Sequence, residues 1–280
     1  MTLQIGIIVV LALSFTFIGY LIGSVLFASI IAHFKGTDFR KIGSGNMGAT
    51  NVLRVHGKRV GFIVFLLDFW KSLVAIFISM TIYWASFNAI PDLFHQNGYI
   101  IYFAGAGVIV GHCFPAPWLF FKIFYKNNPE KAKNYTGGKG SSCMAGLFTA
   151  ISPILFPVGV FLFWLILFTS RYVSLSAVVS IIILMFMTLI PEINFYYMVD
   201  FPGFDNPSII EGGLIYFSEN LSISFANNWQ YLFVIFLVSF IGTSIIIFKH
   251  LQNLNNIYFK TERQANFIWH NKKEKQQQKK

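Results

Sequence analysis

Long apolar runs separated by short polar stretches dominate this chain. A helix needs roughly 20 apolar residues to cross about 30 Å of hydrocarbon, and several runs reach or approach that length. They cover residues 5–32, 61–90, 99–121, 141–168, 172–190 and 229–248. We expect the first of them to be an uncleaved span, since no small-residue cleavage site follows a short hydrophobic segment. The pattern predicts an all-α integral membrane protein.

The run at 141–168 differs from the others because Pro153 and Pro157 interrupt it. Proline lacks a backbone N–H and breaks helices. The two arms, 141–152 and 156–168, are each about 12 residues or roughly 18 Å long, which is too short for a straight crossing. We therefore predict a re-entrant hairpin that returns to the side it entered. Counting its arms separately, the chain has about seven transmembrane or half-membrane helices.

The charged residues predict the orientation of these helices. Lys and Arg are concentrated in residues 35–60, 122–140 and 249–280, whereas residues 89–98 and 192–227 contain neither. The positive-inside rule places basic loops in the cytoplasm. The N-terminus is then outside and the C-terminus cytoplasmic. Residues 1–262 read as a single membrane domain, and residues 263–280 as a basic, disordered cytoplasmic tail.

Composition excludes several other classes of protein. Hydrophobic residues make up 55% and charged residues 11% of the chain, whereas a soluble domain carries about 25% charged residues. Soluble, disordered and coiled-coil proteins are therefore excluded. Two cysteines, Cys113 and Cys143, are too few for a disulfide framework or a cysteine-based zinc site. The net charge of +10 belongs to the cytoplasmic loops, so we expect no nucleic-acid partner.

The sparse polar residues form four clusters, all on the predicted cytoplasmic side. The first, residues 43–54, reads GSGNMGATNVLR. Its glycines expose backbone N–H groups, its Ser, Thr and Asn side chains add donors, and its arginine offers a fork that fits phosphate. The candidate residues in this cluster are Ser44, Gly45, Asn46, Thr50, Asn51 and Arg54.

The other three clusters have the same character. Residues 136–142 read TGGKGSS, residues 169–176 read TSRYVSLS, and residues 250–253 read HLQN with a glutamate further on. Phosphate-binding groups that converge on the cytoplasmic face indicate a phosphorylated substrate supplied from the cytosol. The candidate residues are Gly137, Gly138, Lys139, Gly140, Arg171, Ser174, His250, Asn253 and Glu262.

Some patterns have a simpler interpretation. The glycines of the first cluster match a dinucleotide-binding fingerprint as a string, but no preceding strand or βαβ unit supports it. His33 and Asp38 have the spacing of a large acyltransferase superfamily, yet His33 reads better as an interfacial residue. Asp68 and Lys71 are one helical turn apart, which fits either a structural ion pair or a supporting role at a site. His112 reads as a residue that fixes a helix end.

Taken in order, the clusters resemble the PlsY family of bacterial membrane glycerol-3-phosphate acyltransferases. That family typically shows GSGNxGATNxxR, then GHxFP leading to GGKG, then RYVSLSS, then HxxN with a later glutamate. The matching segments here are residues 43–54, 111–115, 137–140, 171–176 and 250–253. The resemblance extends over about residues 15–262.

The resemblance implies that a fatty acyl group moves from acyl phosphate to the 1-hydroxyl of glycerol-3-phosphate. The products are lysophosphatidic acid and phosphate, in the first step of phospholipid synthesis. It implies a bacterial cell membrane location, with an active site facing the cytoplasm and no cofactor or metal. The implied partners are glycerol-3-phosphate, acyl phosphate, membrane lipids and, transiently, the enzyme that supplies acyl phosphate.

Site roles follow from the same resemblance together with the residue chemistry. Catalytic roles fall on Ser44, Asn46, Lys139 and His250. The other candidates, which we expect to bind substrate, are Gly45, Thr50, Asn51, Arg54, Gly137, Gly138, Gly140, Arg171, Ser174, Asn253 and Glu262. His250 could orient the acceptor hydroxyl or act as general base, and the donor phosphate could take the proton itself. No protein nucleophile is required.

Two rival functions have different signatures. A transporter for a phosphorylated or anionic solute also uses helix N-termini aimed at anions. It predicts paired repeats and ionisable groups near the midplane, whereas the sequence has no internal repeat and its ionisable residues gather at one face. A non-catalytic scaffold would leave the four polar clusters unexplained. The sequence therefore favours the acyltransferase.

Overall fold

The computed structural model describes residues 2–89, 98–125, 129–190 and 221–265. The predicted outer loop 192–227 and the tail 263–280 lie largely outside these residues. Within them the chain is helical, with one short 3₁₀ helix at Gly98–Tyr102. The α-helices are α1 Thr2–Ser24, α2 Phe27–Phe34, α3 Ala49–Ala89, α4 Phe103–Cys113, α5 Ala116–Phe124, α6 Pro129–Lys133, α7 Ser141–Ile151, α8 Leu155–Ser170, α9 Val173–Met187 and α10 Leu221–Tyr258.

The lengths and composition of these helices confirm the predicted membrane fold. In the described part of the chain, three helical stretches are long and apolar enough to cross a membrane: Ile5–Phe34, Ala49–Ser86 and Trp229–Tyr258. Gly98–Cys113 and Ala116–Phe124 form a fourth candidate, bent by 57°. Helices α7, α8 and α9 are shorter apolar helices. Together they make seven segments, as the apolar runs predicted.

Helices α1 and α4 pack so closely that only glycine fits between them. A Cβ atom at Gly19 would lie 1.9 Å from the carbonyl oxygen of Ala104, and one at Gly23 would lie 2.2 Å from that of Val108. On α4, a Cβ atom at Gly107 would likewise meet the backbone of Thr16, and one at Gly111 would meet that of Tyr20. Each helix thus carries two glycines four residues apart on the contact face. Small residues at this spacing let membrane helices approach without an interhelical hydrophobic driving force.

The predicted re-entrant hairpin is formed by α7 and α8. Helix α7 starts next to Lys139, whose ammonium donates a hydrogen bond to the Asn253 side-chain oxygen. Helix α8 ends next to Arg171, whose carbonyl accepts a hydrogen bond of 2.9 Å from the Ala265 N–H. Both ends of the hairpin therefore lie at the same end of the bundle.

The turn of the hairpin is shorter than the prolines suggested. It spans Ser152–Ile154, whereas the prediction placed it between the two prolines. Helix α8 already begins at Leu155 and includes Pro157. Proline fits there because the N–H groups of a first helical turn have no partner within the helix.

Two of the basic segments contact the end of α4, at that same end of the bundle. The Lys249 ammonium donates to the carbonyl oxygen of Cys113 at 3.1 Å. The N–H of Gly138 donates to the carbonyl oxygen of His112, also at 3.1 Å. The polar clusters, separated by long apolar helices in sequence, are therefore neighbours in space.

Candidate active site

A cavity of about 650 Å³ opens between the polar clusters and the bodies of four helices. This volume is in the usual range for small-molecule sites. Its polar wall comes from loops and helix ends of all four clusters, including Ser44, Asn46, Arg54, Lys139, Ser174 and His250. Its apolar wall comes from α3, α7, α8 and α9, including Phe65, Phe148, Phe156, Gly159, Trp164 and Leu184. One cavity thus joins an ionic region to an apolar groove.

A chain of hydrogen bonds connects three of the polar clusters across the cavity wall. Lys139 donates to the side-chain oxygen of Asn253. The amide nitrogen of Asn253 donates to Glu262 Oε1 at 2.7 Å. The Ser174 hydroxyl donates to the same carboxylate oxygen at 3.2 Å. The arrangement fixes the direction of each donor and places Glu262 at its centre.

Glu262 also sets the electrostatics of this region. Its carboxylate lies within electrostatic range of both Lys139 and Arg54. Burial lowers the pKa of the Lys139 ammonium, Glu262 opposes that shift, and the cations Arg54 and Lys249 add to it. Lys139 therefore sits among cations at an apolar boundary. Such a position attracts a phosphate dianion, whose charge offsets the crowding of positive groups.

The first polar cluster is folded around the side chain of Asn51. Its Oδ1 atom accepts the backbone N–H of Ser44 at 2.8 Å. Its amide nitrogen donates to the carbonyl oxygens of Phe39 at 2.9 Å and Ile42 at 3.1 Å. Asn51 is 1% exposed, so its polar atoms hold the loop, although its surface borders the cavity. Ser44, which this contact positions, lies at the cavity wall.

Helix α3 carries Thr50 and Arg54 from this loop to the cavity. The helix starts at Ala49, just after the loop, and is interrupted at Gly57, whose φ of 85° lies in the left-handed region. A side chain is rarely tolerated at such a φ. The two turns before this interruption carry Thr50 and Arg54, which both border the cavity.

The GGKG loop packs tightly against the end of α4. A Cβ atom at Gly137 would lie 2.0 Å from the His112 carbonyl oxygen, and one at Gly138 would lie 2.2 Å from His112 Nε2. Gly140 has a φ of 86° and precedes the first residue of α7. Close packing before Lys139 and a left-handed turn after it present the lysine at the N-terminal end of α7.

His250 is oriented by its own helix. Its Nδ1 atom lies 2.8 Å from the carbonyl oxygen of Ile246. A carbonyl only accepts hydrogen bonds, so Nδ1 carries the hydrogen and Nε2 of the neutral ring has the lone pair. The residue borders the cavity and is 4% exposed. This tautomer can accept a proton from, or a hydrogen bond of, a substrate hydroxyl.

Four of the expected substrate-binding residues are not in the cavity wall. Gly45, with a φ of 71°, shapes a turn of the first loop, and Gly137 and Gly138 pack on His112. The side chain of Arg171 is exposed, and its carbonyl binds the Ala265 N–H. That bond holds the segment that carries Glu262. These residues support the cavity from behind.

Two ionisable residues that the sequence did not assign to the site do border the cavity. Asp68 and His112 are 1% and 3% exposed and appear in its wall. Asp68 also pairs with Lys71 at 2.9 Å, which confirms the ion pair suggested by their spacing. In the described part of the chain, no three His, Cys, Asp or Glu residues are grouped as metal ligands.

Comparisons with known proteins agree with this geometry. The family model for glycerol-3-phosphate acyltransferase matches residues 13–260. A glycerol-3-phosphate acyltransferase of Malacoplasma penetrans (strain HF-2) is 37% identical over 273 residues, covering 94% of this chain and 97% of that protein. One from Ureaplasma parvum serovar 3 is 34% identical over 263 residues, covering 90% of this chain and 88% of the relative.

The fold has a counterpart among solved structures. The crystal structure of PlsY, an integral membrane glycerol 3-phosphate acyltransferase, in its glycerol 3-phosphate form has a TM-score of 0.61 and 25% identity. The alignment covers 92% of this chain and 96% of that one. The family model, the relatives and the fold agree over nearly the whole chain. The chain therefore belongs to the glycerol-3-phosphate acyltransferase family.

Proposed function

We propose that this protein transfers a fatty acyl group from acyl phosphate to the 1-hydroxyl of glycerol-3-phosphate, giving lysophosphatidic acid and phosphate. The observation that carries the proposal is the single cavity in which cationic and hydroxyl groups adjoin an apolar groove. An acyl phosphate has both characters. Its chain fits between α3, α7, α8 and α9, and its phosphate reaches Lys139 and the first polar cluster.

The acceptor also carries a phosphate, so the site has to hold two anions close together. Arg54 and Lys139 both border the cavity, and each provides a positive charge. Hydrogen bonds from Ser44, Asn46 and Thr50 would orient the phosphate oxygens or the developing oxyanion. Such preorganised donors, acting away from water, commonly supply a large part of catalysis.

The chemical step needs no covalent intermediate on the protein. The hydroxyl oxygen of glycerol-3-phosphate attacks the acyl carbon, forms the ester bond and breaks the bond from that carbon to the phosphate oxygen. The hydroxyl proton passes to His250 Nε2 or to the departing phosphate. The Ile246 contact keeps Nε2 available for this role, and the cations offset charge on the leaving group.

We also propose that the site faces the cytoplasm of a bacterial cell membrane, where a soluble acceptor and donor-supplying enzyme can reach it. The distribution of basic residues supports this orientation. The contacts that gather those basic segments beside the cavity support it as well. The transporter alternative is less well supported, because the chain belongs to an acyltransferase family.

Turnover by the purified protein tests the proposal. We would supply palmitoyl phosphate and glycerol-3-phosphate without CoA or metal, and follow phosphate release and lysophosphatidate. Acceptor-dependent release is expected, and Lys139→Ala should lower it roughly 100-fold to 1,000-fold, as for loss of one preorganised donor. Gln264→Ala, which changes an exposed residue, is the control. Release that does not depend on glycerol-3-phosphate, or a Lys139→Ala variant of normal activity, would contradict the proposal.

A further inference from the structure

A buried charged cluster lies directly beneath the GGKG loop. The Lys71 ammonium lies 2.9 Å from Asp68 Oδ1 and 3.4 Å from both the Gly23 carbonyl oxygen and His112 Nδ1. The three side chains come from α3 and α4, and Gly23 lies near the end of α1. Asp68, Lys71 and His112 are 1%, 3% and 3% exposed.

The chemistry of lysine settles which way these hydrogen bonds run. An ammonium has three donors and no acceptor; here it donates to the Gly23 carbonyl oxygen and to His112 Nδ1, and it forms an ion pair with the Asp68 carboxylate. His112 Nδ1 therefore accepts from Lys71, and Nε2 of the neutral imidazole carries the hydrogen. The distance from Nδ1 to Asp68 Oδ1 is 3.6 Å, which is too long for a competing hydrogen bond. Asp68 acts on the ring through Lys71.

His112 contacts the GGKG loop directly. Its carbonyl oxygen accepts the Gly138 N–H at 3.1 Å, and its Nε2 edge lies where a Cβ of Gly138 would be. Gly138 immediately precedes Lys139. The orientation of the imidazole ring therefore limits how closely the backbone at Gly138 can approach α4. It thereby sets the position of the Lys139 ammonium in the cavity.

We propose that Asp68, Lys71 and His112 form a positioning network that holds Lys139 where its ammonium meets a substrate phosphate in the cavity. The inference rests on the phosphate-binding role of Lys139 in the proposed function. A misplacement of about 1 Å at a catalytic group can cost roughly 100-fold in rate. A rigid support therefore has a direct kinetic value.

Stabilisation of the folded state does not by itself explain why charged residues are buried here. Removing two charges from water is costly, and replacing a buried ion pair by well-packed hydrophobic residues of similar volume is often neutral or stabilising. The cluster also borders the substrate cavity instead of filling the apolar core, since both Asp68 and His112 form part of the cavity wall. Positioning explains the place and the charge together.

The test removes both charges at once. The double variant Asp68→Asn/Lys71→Gln replaces both charges by neutral amides, with Asn the size of Asp and Gln slightly smaller than Lys. It leaves no unpaired charge, so its melting temperature should stay near that of the wild type. Its kcat/KM for glycerol-3-phosphate, measured at saturating donor, should fall about 10-fold to 100-fold. His112→Gln is a second, single-site variant with the same expected loss. Ser79→Ala, a buried change on the same helix, is the matched control.

A double-mutant cycle with Lys139→Gln separates positioning from general damage. If the network acts through Lys139, adding Asp68→Asn/Lys71→Gln to Lys139→Gln causes little further loss. Losses that multiply, unchanged kcat/KM in both network variants, or failure of both to fold would overturn the inference. The proposed function fails in a distinguishable way, because then Lys139→Gln by itself leaves kcat/KM unchanged.

Discussion

Lys139 and Asn253 are 114 positions apart in sequence, yet their side chains are joined by a hydrogen bond. Lys139 lies just before α7, the first helix of the re-entrant hairpin, and Asn253 lies in α10, the last described helix. The amide nitrogen of Asn253 in turn donates a hydrogen bond of 2.7 Å to Glu262. The cation that we assign to phosphate is therefore oriented by a neutral amide, and its countercharge is one residue further away. A substrate phosphate can approach Lys139 without displacing a direct ion pair.

Replacing Glu262 by Gln tests whether this countercharge matters. The carboxylate accepts hydrogen bonds from Asn253 and Ser174, and bonds to charged groups contribute about 1.5–3 kcal/mol each. We expect Glu262→Gln to lower kcat/KM about 10-fold or more, since the orientation of Asn253 and Lys139 is loosened. Steady-state kinetics with both substrates measures this loss of kcat/KM. Gln264→Ala is the control, and an unchanged kcat/KM would exclude Glu262 from the site.

The pH dependence of activity should report the environment of Lys139. Burial lowers the pKa of its ammonium, so the free enzyme loses this charge at lower pH than an ordinary lysine would. We expect kcat/KM for glycerol-3-phosphate to decline on the alkaline side below the ordinary lysine range. Lys139→Arg keeps its charge there because the guanidinium stays protonated. Its alkaline limb should move to higher pH, and an identical profile would assign the limb to another group.

The apolar end of the cavity predicts a preference for donor chain length. Gly159 borders the cavity, and a Cβ atom there would lie 2.7 Å from Leu184 Cδ1. Gly159→Leu should fill part of the groove and shift the preference towards shorter acyl phosphates. A series of donors of increasing length measures this shift. Leu165→Phe, on the exposed face of the same helix, should leave the preference unchanged; an equal shift there would argue against the assigned groove.

The orientation in the membrane remains a prediction that labelling can test. Both native cysteines are buried, so single introduced cysteines report their own position. Ser218→Cys, in the acidic segment, should react with an impermeant thiol reagent on intact cells. Lys272→Cys, in the basic tail, should react only after permeabilisation. The reverse pattern would place the cavity outside the cell.

Much of this architecture was predictable from the sequence because membrane helices can be recognised from the length and apolar character of their segments. The re-entrant hairpin followed from its prolines and from the position of the basic residues. Convergence of the polar clusters followed from counting crossings. Each of these predictions depends on the length of apolar runs, on the positions of prolines or on charge, which are local properties of the chain.

The individual roles of polar residues were harder to predict. Arg171 stays a predicted substrate-binding residue, but the sequence did not indicate that its carbonyl accepts the Ala265 N–H or that its side chain is exposed outside the cavity wall. Asn51 uses three hydrogen bonds to shape its own loop. Whether a polar group faces a ligand or its own backbone depends on the tertiary path of the loop, which spacing does not reveal.

The glycines show the same limit. Their role in exposing backbone N–H groups was predicted for the GGKG loop; the close contact of Gly137 and Gly138 with His112, which leaves no room for a Cβ atom, was not. Helix α3 is interrupted at Gly57, upstream of the apolar part that carries Asp68. The interruption lies in a basic stretch just before the apolar run 61–90, and the spacing of residues there does not reveal it.

The most direct measurement compares two donors side by side. Purified protein would receive glycerol-3-phosphate with either palmitoyl phosphate or palmitoyl-CoA, and lysophosphatidate and inorganic phosphate would both be quantified. Our account predicts equal amounts of the two products from palmitoyl phosphate and no lysophosphatidate from palmitoyl-CoA. Lysophosphatidate formed from palmitoyl-CoA alone would contradict it.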